Sequence, residues 1–593
     1  MGFGAVIQQT YVNGLPYRMG AALSARFARD GYVGEEKKHR LIHQLQTDYD
    51  SIPLDIEGEQ LKAALINAGD RAARECFGYV ERYKFTGMIV DGIALLCHRM
   101  RVPLPCGQTS REIIARAVDR SWWIRKLRIE HARRFEHVSI QLGLTGLKCD
   151  PYISRESAIR QAQHNRAIQK LLEKITLTNG TDEYSVAELA DLGPANKAIR
   201  RGELMLRMRG YEEIAGDLGH VALFWTITCP SKFHSVGGEN KNYNGATPRD
   251  AQAYLVRVWS LIRYALKQAG IRPYGFRIAE PHSDGCPHWH MLLFVEPRQE
   301  ARMTAIITKY ALAEDGDEKG AQENRVKLVQ IDTAIGTAAG YIVKYVCKNI
   351  DGHGVGDHKT FENGRTYTLV PDVFGNLELT PSQRVTYWSQ VWNIRQFQQI
   401  GGAPVGVWRE MRRVQEETIR KAPAPIKAAW LACQTIKSDD PMIAKRADYA
   451  EYVRAQGGPL VGRGAAIRIA TRDTAIDGRY GATNAEKPCG VYFAAQPFAV
   501  YESVRYQWTV KEGGGVAVAV PWTRVNKCAD EFEPVSKEAR ENLKNSKIFS
   551  AEWSAEWKTA ETPLKMPAED IEKFQRHRKP DPGAHLRYLK GKE

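Results

Sequence analysis

Ten cysteines are scattered along this 593-residue chain, and no Cys-X-X-Cys pair occurs. That argues against a zinc ribbon or finger, and at this length no disulfide framework is suggested. No apolar run approaches the ~20 residues that span a bilayer, so no membrane partner is expected. The opening MGFGAVIQQT has neither a basic stretch nor an apolar core, so no secretory signal is expected. Gly-Lys followed by Ser or Thr occurs nowhere, which excludes a Walker A loop and with it a built-in helicase motor. There is no internal repeat. The chain reads as soluble and cytoplasmic.

What is present is positive charge. Lys and Arg number 84 against 69 Asp and Glu, for a net +15. Such a surplus favours a polyanionic partner, of which nucleic acid is the commonest. Hydrophobic content of 43% and charged content of 26% are ordinary for globular proteins, and the length suggests roughly three or four domains. Residues 110–215 read as helical and basic, with Trp122, Trp123 and Phe135 among Arg125, Lys126, Arg128, Arg133 and Arg134. Interleaved arginines and aromatics suit phosphates and exposed bases. The same pattern also suits an amphipathic bundle whose aromatics are core. The stretch KAPAP at 421–425 reads as a linker, residues 426–530 as alternating Ala/Arg helical and Gly-rich stretches, and the last ~60 residues as a charged, poorly packing tail.

Between 221 and 350 the pattern sharpens. Val221–Thr228 is β-branched and aromatic, hence a strand. Thr247-Pro248 opens a helix whose apolar positions are Leu255, Val258, Trp259, Ile262 and Leu266. Strands follow at 274–280 and 288–295, then a helix at 301–313, a strand at 325–331 and a helix from about 333 to 350. The order is β-α-β-β-α-β with one helix appended.

Two features there carry chemistry. His288 and His290 flank Trp289, and a strand's period of two puts both imidazoles on one face. Glu280 ends the preceding strand, so a hairpin brings it beside them. Two imidazoles and a carboxylate suit Mn²⁺ well and leave positions open for a phosphate. His282 and Asp284, in the turn, are alternative ligands or supporting groups. In the last helix, Ala339, Ile342, Val343, Val346 and Ile350 form an apolar stripe, whereas Tyr341, Lys344, Tyr345 and Lys348 form a second at the same spacing. A core stripe would not hold two lysines, so this face should look into a cleft. Each phenol there is a nucleophile whose phenolate a neighbouring ammonium favours. Metal plus tyrosine on a basic chain suggests DNA strand cleavage through a phosphotyrosine.

The segments PHSDGCPHWHMLLF (281–294), FWTITCPS (224–231) and GYIVKYVCKN (340–349) resemble the three motifs of rolling-circle HUH endonucleases. ELMLRMRGYEEIAGDLGHVALFWTITCPS (203–231), YGFRIAEPH (274–282) and WNIRQFQQIGGAPVGVWREMRR (392–413) resemble the bacteriophage replication gene A protein family. The resemblance is strong over roughly 195–415. It implies an α+β fold with a ferredoxin-like HUH endonuclease domain, an antiparallel central sheet with helices on one face. That domain would occupy 206–415, after a basic, mainly helical region (1–205) that could recognise origin DNA and before an accessory region (416–593). It implies a divalent ion, Mg²⁺ or Mn²⁺, at His288 and His290, with Glu280 as third ligand. Tyr341 or Tyr345 would attack the scissile phosphate, giving a 5′-phosphotyrosine and a free 3′-hydroxyl that primes synthesis. The second tyrosine would serve the closing transfer, with Lys344 and Lys348 assisting. Implied partners are origin DNA, single-stranded at the nick, a host helicase and the replication machinery, in the host cytoplasm. An HUH transposase or relaxase would share this site, and a non-enzymatic origin-binding protein would share the charge but have no use for two Tyr-Lys pairs on one helical face.

Overall fold

The computed structural model describes residues 15–16, 18–29, 52–107, 109–331, 337–350, 379–436, 446–478 and 480–511. The charged tail lies outside the described residues, as do residues 332–336 at the expected start of the tyrosine helix. The chain divides into two compact units, one containing residues 43–132 and the other residues 133–531.

The first unit is helical. Helices α1 (Gly58–Arg82), α2 (Thr86–Arg99), α3 (Ser110–Ala117) and the start of α4 (Arg120–Gln141) enclose one core. On α1, Leu65, Ala68, Ala72, Cys76 and Val80 keep the three-and-four spacing of a buried stripe. They meet Ile89, Ile93 and Leu96 of α2 and Trp122, Trp123, Ile124 and Leu127 of α4. A Cβ at Gly69 would sit 2.7 Å from the Ile124 side chain, so the small residue is what lets these two helices approach. Trp122, Trp123 and Phe135 are buried. Their rings serve as core and cannot stack on bases.

The second unit is built on a five-stranded antiparallel sheet. Its strands are β3 (Val221–Ile227), β4 (Tyr274–Pro281), β5 (Pro287–Val295), β6 (Val326–Gln330) and β7 (Phe397–Ile400), in the spatial order β6-β3-β5-β4-β7. Ahead of it come α5 (Arg155–Lys174), two short strands β1 (Thr176–Thr178) and β2 (Glu183–Ser185), α6 (Val186–Asp191) and α7 (Lys197–Leu218). Within it, α8 (Pro248–Gln268) follows β3, α9 (Glu300–Ala311) follows β5, α10 (Ala338–Ile350) follows β6, and α11 (Pro381–Trp392) precedes β7. The fold is thus α+β with antiparallel pairing, and the expected element order holds from β3 to α10. Thr247 accepts from the Asp250 amide while the Asp250 carboxylate accepts from the Thr247 amide, a capping box that fixes the start of α8.

The expectation of helices on one face of the sheet is corrected: both faces are covered. On one face Phe224, Phe276, Ile278, Leu292 and Phe294 pack against α7, α10 and the later helices α12 (Val405–Met411), α13 (Ala424–Cys433) and α14 (Tyr449–Ala455). On the other, Leu223, Trp225, Trp289, Met291 and Leu293 pack against α8, α9 and α11. The cause is in the strands. Apart from Arg277, Glu280, His288 and His290, β4 and β5 are built of apolar or aromatic residues on both sides and are buried at nearly every position, so both faces must be covered.

Two further expectations change. KAPAP is no linker: Pro423 caps α13, and Ala422 and Ile426 enter the core. Residues 467–502 form an antiparallel ribbon of β8 (Ile467–Gly478), β9 (Gly481–Phe493) and β10 (Gln496–Glu502). Alanine and arginine there suggested helix, but Ile467, Ile469 and Thr471 alternate with period two, and pairing across twelve positions outweighs weak propensity. A short strand, β11 (Thr509–Val510), pairs with β1.

Candidate active site

The site grows out of strand register. Glu280 of β4 lies directly opposite His288 of β5, and His290 lies between Ile278 of β4 and Thr226 of β3. Parity places Glu280, His288, His290 and Thr226 on the face shared with Phe224 and α10. The β4–β5 turn is closed by the His282 amide donating to Cys286 O (2.7 Å) and the Gly285 amide donating to His282 O (2.9 Å). Gly285 has φ of +82°, where a side chain is strained. Trp388 Nε1 also donates to Gly285 O (2.9 Å), tying the turn to α11.

The three expected ligands converge. His288 Nε2 and His290 Nε2 are 3.0 Å apart, and His290 Nε2 is 3.9 Å from Glu280 Oε2. One ligand atom from each lies within 4.8 Å of the others. Neighbouring donors of an octahedron with ~2.1 Å bonds stand about 3.0 Å apart, so the imidazole pair has the spacing a small divalent ion requires. Two nitrogens and a carboxylate oxygen are also the chemistry that Mn²⁺ accepts. Glu280 and His290 are buried, at 2% and 7% exposure.

Supporting groups orient this set. Thr226 Oγ1 is 3.0 Å from His290 Nδ1, which fixes the ring so that Nε2 faces Glu280 and His288. Asn349 of α10 donates through Nδ2 to Glu280 Oε1 and to Tyr345 O (2.6 Å), and accepts from Gln396 Nε2 (3.3 Å). One buried amide therefore joins the carboxylate, the tyrosine helix and the segment before β7. Thr226 was legible from strand parity, and Asn349 from its place four residues after Tyr345. Gln396 lies in the family-like segment 392–413, but no periodicity or spacing there pointed it to the site.

The turn residues divide. The His282 ring packs on His288 with centroids 4.1 Å apart and on His234 at 5.0 Å. Asp284 instead faces His234 Nδ1 (3.2 Å) and the amides of Val236 (3.2 Å) and Cys286 (3.1 Å). Burial alone would raise its carboxyl, but the His234 hydrogen bond and charge, the His282 charge and the Cys286 amide hold it down at about 2. Asp284 is thus a clamp for the turn.

Both tyrosines reach the site face. The Tyr345 ring lies 4.4 Å from His290 and 5.3 Å from Phe224. Tyr341 lies 4.7 Å from Phe224 and 6.3 Å from Tyr345. Ile342, Val346 and Ile350 of the expected apolar stripe are buried. Tyr341 is 41% exposed, whereas Tyr345 is half-buried. Burial first, then the neighbouring Tyr341 and Glu280, pushes the Tyr345 phenol well above its ordinary value. The side chains of Ala339, Val343, Lys344 and Lys348 lie outside the described residues.

Residues 99–353 match the family model described as bacteriophage replication gene A protein. The chain is 38% identical over 344 residues to the probable replication protein P12 of Pseudoalteromonas phage PM2, covering 58% of this chain and 51% of that one. It is 38% identical over 366 residues to the replication gene A protein of Escherichia phage 186 (60% and 50% covered). It is 32% identical over 454 residues to a probable replication endonuclease from a prophage-like region of Salmonella paratyphi A (72% and 54% covered). The chain spans about half the length of the curated relatives it matches. No solved structure matches it. Among the described residues no helix is long and apolar enough to cross a membrane. Through residues 99–353, the chain is similar to the bacteriophage replication gene A protein family.

Proposed function

We propose that this chain is a replication initiator that nicks one strand of origin DNA by tyrosine transesterification and later rejoins strands. The observation that carries the reading is Tyr345 packed 4.4 Å from His290, with Tyr341 one turn away on the same helix. A non-enzymatic DNA-binding protein has no need of phenols beside a histidine–carboxylate cluster. The first four strands run β6-β3-β5-β4, which is the 4-1-3-2 order of a ferredoxin-like sheet, and we read the domain as an HUH endonuclease on that basis.

His288, His290 and Glu280 would hold the divalent ion, Mg²⁺ or Mn²⁺. When bound, such an ion supplies Lewis-acid polarisation of a phosphate oxygen. The rest falls to the chain. Tyr345 Oη, or Tyr341 Oη, forms a bond to the scissile phosphorus as the bond to the 3′-oxygen breaks. The phenol gives up its proton and the departing 3′-oxygen gains one, leaving a 5′-phosphotyrosine and a 3′-hydroxyl. Because burial disfavours the Tyr345 phenolate, that phenol enters the reaction protonated and loses its proton as the bond forms. Thr226 and Asn349 keep His290 and Glu280 in place throughout. The ester conserves the bond energy, so the reverse transfer rejoins strands, and the second tyrosine permits a further cleavage. Lys344 and Lys348 would neutralise the phosphate. The basic helical region before the sheet would add phosphate contacts at the origin, and unwinding would come from a host helicase in the host cytoplasm.

The test is incubation with a labelled single-stranded origin oligonucleotide, followed by a denaturing gel and peptide mapping of the adduct. A DNA-linked peptide containing Tyr341 or Tyr345 is expected, and none from the double phenylalanine variant. Cleavage with no linked protein would overturn the mechanism.

A further inference from the structure

Strand β6 is unlike the rest of its sheet. β3, β4 and β5 are buried on both faces, whereas Lys327, Leu328, Val329 and Gln330 are all exposed and β6 forms the outer edge. Exposed edge strands with apolar side chains are generally avoided unless something uses them. Register states which side chains share the site face. Lys327 pairs with Thr226, and Thr226 pairs with His290. Val329 pairs with Phe224, the ring against which both tyrosines rest. Lys327, Thr226 and His290 therefore form one row across the sheet, with Lys327 two strand spacings, ~9.6 Å, from His290.

Some other cations of this unit have carboxylate partners. Lys232 is held by Glu314 and Asp315, and Arg257 by Glu314. Lys327 forms no ion pair or side-chain hydrogen bond among the described residues. Among the described residues it is an unpaired ammonium on the site face, two residues before exposed Val329, whose register partner Phe224 packs on the exposed ring of Tyr341.

We infer that the β6 edge is a shelf for the substrate strand, and that Lys327 grips a backbone phosphate neighbouring the scissile one. The ammonium pairs with the phosphate, while Val329 and the Tyr341 ring offer apolar surface to a sugar or base. Lys327 thereby sets the path of the strand into the site and is a positioning residue. The inference rests on the proposed nicking function for its setting, but its test does not require nicking.

The experiment uses the full chain in EDTA with fluorescein-labelled oligothymidylate, read by anisotropy across a salt series. Each phosphate contact to a single strand contributes ~0.7 to the slope of log K against log salt. Lys327→Ala should weaken binding and lower that slope by about 0.7, so its deficit shrinks about 2.6-fold over a fourfold rise in salt. Lys327→Arg should keep affinity and slope. Lys267→Ala is the control for lost charge, because exposed Lys267 lies on α8, which packs on the opposite face of the sheet. Wild-type affinity and slope in Lys327→Ala would overturn the inference, as would an equal loss in Lys267→Ala. Should the chain form no covalent adduct, the nicking proposal falls while a Lys327-specific loss still supports the shelf.

Discussion

Asn349→Ala is the most informative perturbation of the site, because one amide serves three partners there. Its Nδ2 donates to Glu280 Oε1 and to the Tyr345 carbonyl, and its Oδ1 accepts from Gln396. Alanine removes a hydrogen bond to a charged group, worth about 1.5–3 kcal/mol, and leaves the buried Gln396 amide short of an acceptor. Losing a group that orients a metal ligand typically costs 10–100-fold in metal affinity. The bond energy corresponds to about 10- to 150-fold at ~1.4 kcal/mol per decade, so the two estimates agree. The variant should therefore bind Mn²⁺ about 10–100-fold more weakly by calorimetric titration. It should also lose thermal stability in EDTA, since the stranded groups remain buried without the ion. Gln396→Ala removes only the outer bond and should cost less on both measures. An Asn349→Ala protein with Mn²⁺ affinity within twofold of wild type and an unchanged melting temperature would refute the reasoning.

Other outcomes follow from the same geometry. His288→Ala and His290→Ala should each abolish cleavage while sparing most DNA binding, because phosphate contacts elsewhere set affinity; the denaturing gel and an anisotropy titration check the two halves. Asp284 is held at about 2 against an ordinary 3.8. A depressed carboxyl stabilises the fold above its unfolded value, and that stability is lost as pH falls through the folded one. Asp284→Asn should thus cost about 2 kcal/mol at neutral pH, with the difference disappearing between roughly pH 4 and pH 2 in urea melts. The raised Tyr345 phenol predicts that, in EDTA, Tyr345→Phe leaves the phenolate absorbance titration unchanged below about pH 10; a difference near neutrality would contradict the burial argument. Tyr341→Phe or Tyr345→Phe alone should leave some single cleavage and impair the second transfer, measured as lost strand rejoining.

How much of this was legible in the sequence depends on the range of the physics involved. Period-two alternation put His288 and His290 on one face, and a hairpin between β4 and β5 put Glu280 beside them. Helical spacing put Tyr341 and Tyr345 on one stripe and Ile342, Val346 and Ile350 on another. Those are local rules, fixed by backbone geometry over a few residues, and they yielded the candidate ligand set and both candidate phenols. Local rules also gave the element order from β3 to α10 and the cap that starts α8. They could not say that Asp284 would turn to His234, because that depends on where the loop after β3 comes to rest. Nor could they find Gln396, or decide that Trp122 and Trp123 are core and not a stacking surface, since both readings share one amphipathic pattern. The helices on both sheet faces, the ribbon at 467–502 and the row Lys327–Thr226–His290 all depend on which strands pair and in what register. Pairing is settled by burial summed over the whole unit, and only the tertiary structure supplies that sum.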